Sequence, residues 1–350
     1  MVGQVLSFYG LVDTKCSVTP FGNGLINHTW KIICGKKEFL LQKINQQIFR
    51  TPLDIMYNCR LLSDYFKTHH PDYLFVAPLT TISEQNYVNK EGNYYRLFPF
   101  IEYSYSNDTV TNPQLAFEAS KQFGKFTRLL SAFDPGQLHI PLPDFHNLTL
   151  RFQQFETSLQ DGNKERVVQS AESIRFLSAQ QVIVDVFEKI KNHSDFKLRV
   201  VHHDAKINNV LFDRRNNKGL CVIDLDTVMP GYYISDVGDM LRTYICPVSE
   251  EEKDFSKIHI RDEYFREIVK GYLGEMLPSL SEPEIKYFVY AGKFAIYMQA
   301  LRFLTDYLNN DIYYSIHYPD HNFIRANNQI ELLKRFLEKE EILNKILKSL

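Results

Sequence analysis

The stretch VVHHDAKINNVLFDRRNNKGLCVIDLDTV, residues 200–228, concentrates acids, amides and histidines between β-prone apolar runs. Asp204 and Asn209 stand in a D-x-x-x-x-N pattern with His202 two places before the aspartate, and Asp224 closes the run LCVI. Phosphoryl transfer from a nucleotide needs such a set: a carboxylate to orient an attacking hydroxyl and accept its proton, plus an amide oxygen and a second carboxylate to hold Mg2+. The pattern alone also arises by accident, because Asp and Asn commonly end strands and cap turns. A zinc site from His202, His203 and Asp204 is disfavoured, since adjacent side chains on a strand point to opposite faces.

The elements that must position these groups follow from periodicity. VLF and LCVI, joined by DRRNNKG, read as a hairpin fixing Asn209 relative to Asp224. Upstream, VTPF, LINHTWKII, EFLLQKI, FVAPLTTI and NYYRLFPFI read as strands separated by turn formers. One helix interrupts them over 52–67, where Thr51 and Asp54 have capping-box spacing and Pro52 suits the first turn. After Glu102 the chain turns helical. Asn112 and Pro113 open a helix with Leu115, Ala119, Phe123, Phe126 and Leu130 on one stripe, and helices are expected near 150–160, 165–192, 261–275 and 283–309. Ser281 and Glu284 form a capping box for the last of these. The expected class is α+β, with a sheet-rich lobe over 1–101 and a larger helical lobe over 102–350.

Composition narrows the alternatives. A chain of 350 residues with 44% hydrophobic and 14% aromatic content has the material for a full core. The formal charge of −2 gives no bulk field for nucleic acid or an anionic membrane, and no run approaches the roughly 20 apolar residues of a membrane span. Five scattered cysteines without CxxC spacing point to neither a disulfide framework nor a zinc site, and the N-terminus MVGQVLSFYG lacks a basic start, so a cytoplasmic protein is expected.

HHDAKINNVLFD, followed by CVIDLDTVMPG and SDVGDMLR, resembles the aminoglycoside phosphotransferase and choline kinase superfamily. With FGNGLINHTW, FLLQKIN, FGKFTRLL and RFLTDYLNNDIYYSIHYPDHN, the chain is most similar to the N-acetylhexosamine 1-kinase branch, whose members phosphorylate the anomeric hydroxyl of N-acetylglucosamine or N-acetylgalactosamine. The resemblance implies a two-lobed, protein-kinase-like fold that uses ATP and Mg2+, with the small lobe binding nucleotide and the large lobe binding an amino-sugar acceptor. It makes Asp204 the catalytic base, Lys206 a contact to the transferring phosphate or sugar hydroxyl, and Asn209 and Asp224 the Mg2+ ligands.

Asp226 is then either a further metal-site carboxylate or a turn cap, and Asp236 either a brace for the catalytic loop or a helix N-cap. Gly22, Asn23 and Gly24 would fold over the phosphates, although GNG is equally an ordinary hairpin turn. Lys43 would bind phosphate, yet the helix over 52–67 contains no glutamate to pair with it, and Tyr57 stands roughly where one is expected. Arg302 and Tyr313 are the expected sugar contacts, although Arg302 and Asp306, four apart, also have the spacing of a surface ion pair. An amine acceptor such as choline or an aminoglycoside, and a non-catalytic nucleotide-binding protein, are the alternatives. The sequence does not indicate how many chains associate.

Overall fold

β-Branched and aromatic residues alternating with polar ones build the first strands. The structure is a computed structural model and describes residues 2–11, 16–22 and 26–350. After a short helix α1 (Val2–Ser7), strands β1 (Cys16–Pro20), β2 (His28–Cys34), β3 (Lys37–Lys43), β4 (Val88–Lys90) and β5 (Asn93–Pro99) form an antiparallel sheet in the order β1-β2-β3-β5-β4. Val5 and Leu6 of α1 pack with Ile32, Leu41, Val88, Tyr95 and Leu97 of the sheet. Cys16 lies directly opposite Cys34 in the β1–β2 register, and the two form a disulfide with a Cα–Cα distance of 4.2 Å. The scattered cysteines gave no sign of it, because the hairpin register creates the pair across 18 residues.

Helix α2 (Pro52–His69) begins where Pro52 places it, but Thr51 makes no side-chain cap; Asp54 instead accepts from or pairs with His139 Nδ1 at 2.6 Å. FVAPLTTI forms no strand. Pro78 lacks the N–H a ladder requires, and Leu79 makes one isolated backbone bond to Leu97.

The chain divides into two compact units. The first comprises Met1–Tyr105 together with Phe133–Pro143 and Leu211–Pro230, two later segments that a division at 101/102 assigns to the other lobe. It contains the expected hairpin, β8 (Val210–Asp213, apart from Val210) and β9 (Gly219–Val222), with β6 (Ser104–Tyr105) beside β8: Ser104 faces Asp213 and Tyr105 faces Phe212.

The second unit is mainly helical: α3 (Pro113–Leu129), α4 (Leu148–Asp161), α5 (Lys164–Gln169), α6 (Ala171–Ser178), α7 (Val182–Lys191), α8 (Ile234–Tyr244), α9 (Asp262–Met276), α10 (Glu282–Lys286), α11 (Phe288–Leu308) and α12 (His321–Lys348). Strand β7 (Arg199–Val201) and the end of β10 (Met229–Gly231) complete it. Asn112 caps α3 as expected, accepting from Leu115 N–H at 3.0 Å. The apolar stripe of α3 packs on α9, and α11, buried on most of its circumference, packs against α4, α8 and α12.

The Ser281–Glu284 capping box is present but opens only the short α10, and the expected helices over 165–192 and 283–309 resolve into three and two. Among the described residues no helix is long and apolar enough to cross a membrane. The class is α+β, an antiparallel sheet in the N-terminal region followed by a larger helical part.

Candidate active site

In the second unit, β7 is buried along its whole length and delivers the chain to His202 and His203. Asp236, in the first turn of α8 and without exposed surface, accepts the backbone N–H of His202 at 2.9 Å and that of His203 at 2.7 Å. These two bonds hold His203 in the left-handed region at φ 66°, a conformation that a non-glycine residue adopts at a cost. On the far side of Asp204, the Tyr244 hydroxyl donates to the Ala205 carbonyl at 2.7 Å. The loop is therefore fixed on both sides of the aspartate. Of the two readings of Asp236, the brace is the one its hydrogen bonds form.

Asp204 meets two other residues singled out in the sequence. Lys206 Nζ lies 3.0 Å from its Oδ1, while Asn209 Nδ2 donates to its Oδ2 and to its backbone carbonyl, each at 2.9 Å. Burial pushes the Asp204 carboxyl up, but the Lys206 ammonium and the hydrogen bonds from Lys206 and Asn209 outweigh it and hold the group below the usual carboxylate range. The Asp204 carboxylate in turn pushes Lys206 up. With 28% of its side chain exposed, Asp204 is an oriented, ionised and reachable carboxylate. Asp236 moves the other way, raised to about 6 by burial against the opposing effects of His202 and the two N–H donors.

A cavity of about 190 Å³ opens beside Lys206, lined also by Asn208, Arg242, Cys246, Glu250 and Gln329. Arg242 is neutralised there by Asp239 at 3.0 Å and Glu250 at 2.7 Å. Both bonds from the Asn209 side chain to Asp204 come from its Nδ2 and engage none of its amide oxygen, the donor type Mg2+ takes.

Asp224 belongs to the first unit, where it lies two residues after β9 in the left-handed region at φ 59°. Asp226, two residues on, is the buried partner of Arg96 on β5, at 2.5 Å. It also accepts from Asn27 Nδ2 at 2.8 Å, and Asn27 Oδ1 takes the Asn45 N–H at 3.0 Å. Arg96 is 1% exposed and donates to Gln42 Oε1 at 3.0 and 3.2 Å. Burial alone would lower its pKa, and Asp226 raises it. Sequence reasoning passed over this pair; the one local signal was a cation inside the apolar run YYRLFPF.

Lys43 ends β3 and forms no ion pair among the described residues. The acids of α2 serve elsewhere, Asp54 with His139 and Asp64 with Lys67, and Tyr57 stacks on His139 at 4.2 Å. Gly22 has φ +75°, a value glycine adopts freely. Asn23 and Gly24 lie outside the described residues.

Near the C-terminal end of α11, Arg302 and Tyr313 come together, the guanidinium 5.7 Å from the ring centroid. The ion pair that the spacing of Arg302 and Asp306 would allow is not formed among the described residues. Asp306 is buried and accepts the backbone N–H of Tyr313 at 2.8 Å, that of Tyr314 at 2.9 Å and Asn322 Nδ2 at 2.9 Å, so it shapes the turn that carries both tyrosines.

Residues 17–269 match the model of the phosphotransferase enzyme family. The chain belongs to that family. This phosphotransferase also shares its fold with solved structures of low identity. A microcompartment-associated aminopropanol kinase matches with a TM-score of 0.65 at 12% identity, covering 98% of each chain. An aminoglycoside phosphotransferase from Alicyclobacillus acidocaldarius gives 0.64 at 11%, covering 99% of this chain and 96% of the other. A choline kinase from Cryptosporidium parvum gives 0.57 at 15%, covering 96% and 93%. The fold is kinase-like. As a member of the family, the phosphotransferase transfers a phosphoryl group to a small-molecule acceptor.

Proposed function

We propose that this phosphotransferase is an ATP- and Mg2+-dependent kinase acting on the anomeric hydroxyl of an N-acetylhexosamine such as N-acetylglucosamine or N-acetylgalactosamine. The observation that carries the kinase reading is Asp204, ionised, reachable and locked between Lys206 and Asn209. Its carboxylate takes the proton from the sugar hydroxyl as that oxygen attacks the terminal phosphorus; the bond to the leaving ADP breaks, and the sugar 1-phosphate forms. Lys206 keeps the base charged and offers a cation to the oxygens in transfer. Asn209 and Asp224 supply an amide oxygen and a carboxylate for Mg2+, which when bound offsets charge on the phosphates. Gly22, Asn23, Gly24 and Lys43 bind those phosphates. The division of labour expected from the sequence, nucleotide at 1–101 and acceptor at 102–350, belongs to this proposal, as do the absence of nucleic-acid and membrane partners and a cytoplasmic location, which cell fractionation tests.

A sugar is favoured over a cationic acceptor by Arg302. Quaternary and protonated amines are bound by aromatic faces or clustered carboxylates. Here Phe145, Tyr313 and Tyr314 already surround the Arg302 guanidinium at 5.6, 5.7 and 5.4 Å, so a choline-like group would meet a positive charge. The kinases of similar fold named for aminopropanol and choline keep the amine reading as the second one.

The test is ADP release with Mg·ATP and a panel of N-acetylglucosamine, N-acetylgalactosamine, galactose, kanamycin and choline. An acid-labile sugar phosphate without a reducing end is expected, together with a loss of about 10²- to 10⁴-fold in kcat for Asp204→Asn. Turnover of choline or kanamycin alone transfers the proposal to amines. No turnover of any acceptor returns the non-catalytic reading, which the unpaired Lys43 favours.

A further inference from the structure

In the second unit, neither Arg151 nor Arg302 forms an ion pair with a carboxylate of the described residues. Arg151 in α4 donates from Nη1 to Gln154 Oε1 at 3.0 Å and from Nη2 to the carbonyls of Asp144 and Phe145 at 2.9 and 3.4 Å, while its Nε is buried without a hydrogen-bond partner. Arg302 has a single donated bond, to Gln299 Oε1 at 3.3 Å, and otherwise faces aromatic rings.

The acids around them are engaged. Asp306 holds the 313–314 turn, Glu250 is paired with Arg242, and Asp144 accepts from Asn147 Nδ2 at 2.8 Å. The crowding of cations is felt on both neighbours: burial, and then the Arg302 charge, lower Arg151, and His146 is lowered by burial and by His203, Arg302, Arg242 and Arg151. His146 connects this corner to the catalytic loop, its Nδ1 lying 3.5 Å from Nδ1 of His203, the residue before Asp204.

Like charges gathered in a partly buried place cost free energy unless a counter-charge arrives. A guanidinium with open donors is the group that binds planar or tetrahedral oxyanions in two-point fashion. We propose that Arg302 and Arg151 form a subsite for an anionic substituent, a carboxylate, sulfate or phosphate, on the acceptor. The inference rests on the reading that the acceptor sugar binds the second unit beside the Asp204 loop, and it adds a preference for an acceptor that carries an acidic group. Arg302 grips the anion, Arg151 adds charge behind it, and Tyr313 and Tyr314 hold the guanidinium in place.

The test is calorimetric titration of the full chain, saturated with Mg·ADP so that the donor's phosphate positions are filled. N-acetylglucosamine 6-sulfate is compared with N-acetylglucosamine, and galacturonate with galactose. At least one acidic sugar is expected to bind about tenfold to a hundredfold tighter than its neutral counterpart, the range typical of hydrogen bonds to charged groups. Arg302→Gln should remove most of that advantage, Arg151→Gln part of it, and Arg302→Lys, which keeps the charge without the fork, should retain an intermediate share.

Equal or weaker binding of both acidic sugars overturns the inference, as does an advantage unchanged in Arg302→Gln. If no sugar binds but sodium sulfate raises the melting temperature of the wild type and not of Arg302→Gln, the anion subsite stands and the sugar-kinase reading fails. If sulfate has no Arg302-dependent effect either, both fall. Far-UV circular dichroism of each variant separates loss of binding from loss of fold.

Discussion

Asp236 ties the chemistry of the loop to the stability of the chain. Its carboxyl, raised to about 6 by burial, still offers one oxygen to each histidine N–H. An unfolded aspartate titrates near 3.9, so the folded chain holds a proton on this group between roughly pH 4 and 6 that the unfolded chain has released. The contribution of this group to stability is therefore complete at the acid end of that window and is lost as pH rises through it. At about 1.4 kcal/mol per pKa unit, the swing is on the order of 3 kcal/mol.

Denaturant unfolding of the wild type and Asp236→Asn at pH 4.5 and 7.5 should show a larger wild-type margin at pH 4.5. A margin that grows with pH would rule this assignment out. The residues that share one loop, Asp204, Lys206 and Asn209, were legible because a spacing of five residues confines them to one neighbourhood. Arg96 and Asp226 were not, since they stand 130 positions apart and no local pattern records a partner brought in by tertiary folding.

Among the elements, the end of β10 sets the clearance of the loop that carries Asp204. Gly231 is there for room: a Cβ on it would lie 2.5 Å from His203 Cε1 and 2.6 Å from Val201 Cγ2. Both neighbours are buried, so neither can swing into solvent. Gly231→Ala is expected to destabilise by about 1–3 kcal/mol through overpacking and, if Asp204 is the base proposed above, to lower kcat more than it raises KM, because His203 precedes Asp204. A thermal melt and steady-state kinetics check both parts; unchanged kcat with an unchanged melt would show that the loop has slack.

Elements carried by a local signal were readable beforehand, as Asn112-Pro113 at the start of α3 and the Ser281 box at α10 illustrate. The strand expected at FVAPLTTI failed because composition outweighed the missing N–H of Pro78. The break between α10 and α11 was hidden because an apolar series continues across it. Glu284 closes α10 on Arg199, at 2.5 and 2.9 Å, a partner from β7 that helical periodicity cannot reveal.

For the whole molecule, the sequence conveyed a sheet-rich beginning and a helical remainder, but not that the first unit is discontinuous. Periodicity describes neighbours along the chain, whereas 133–143 and 211–230 return to that unit and make polar contacts distant in sequence. Asn58 on α2 donates to the carbonyls of His139 and Val228, at 3.0 and 3.2 Å. Ser104 of β6 pairs with Asp213, and its carbonyl accepts from Arg214 Nε at 3.1 Å. Among the described residues, Arg96 forms its ion pair with Asp226.

A fragment of residues 1–105 therefore keeps its sheet sequence but loses every one of these partners. Leaving the buried arginine uncompensated costs about 3–5 kcal/mol, comparable with the roughly 5–15 kcal/mol that stabilises a whole domain. The isolated fragment should give a poorly dispersed amide NMR spectrum. Joining residues 211–230 to it through a flexible linker should restore dispersion in β3 and β5, and the same fusion carrying Asp226→Leu should not. A well-dispersed spectrum from 1–105 alone would mean that the sheet and α1 suffice, and that the buried pair is an addition to an already stable unit.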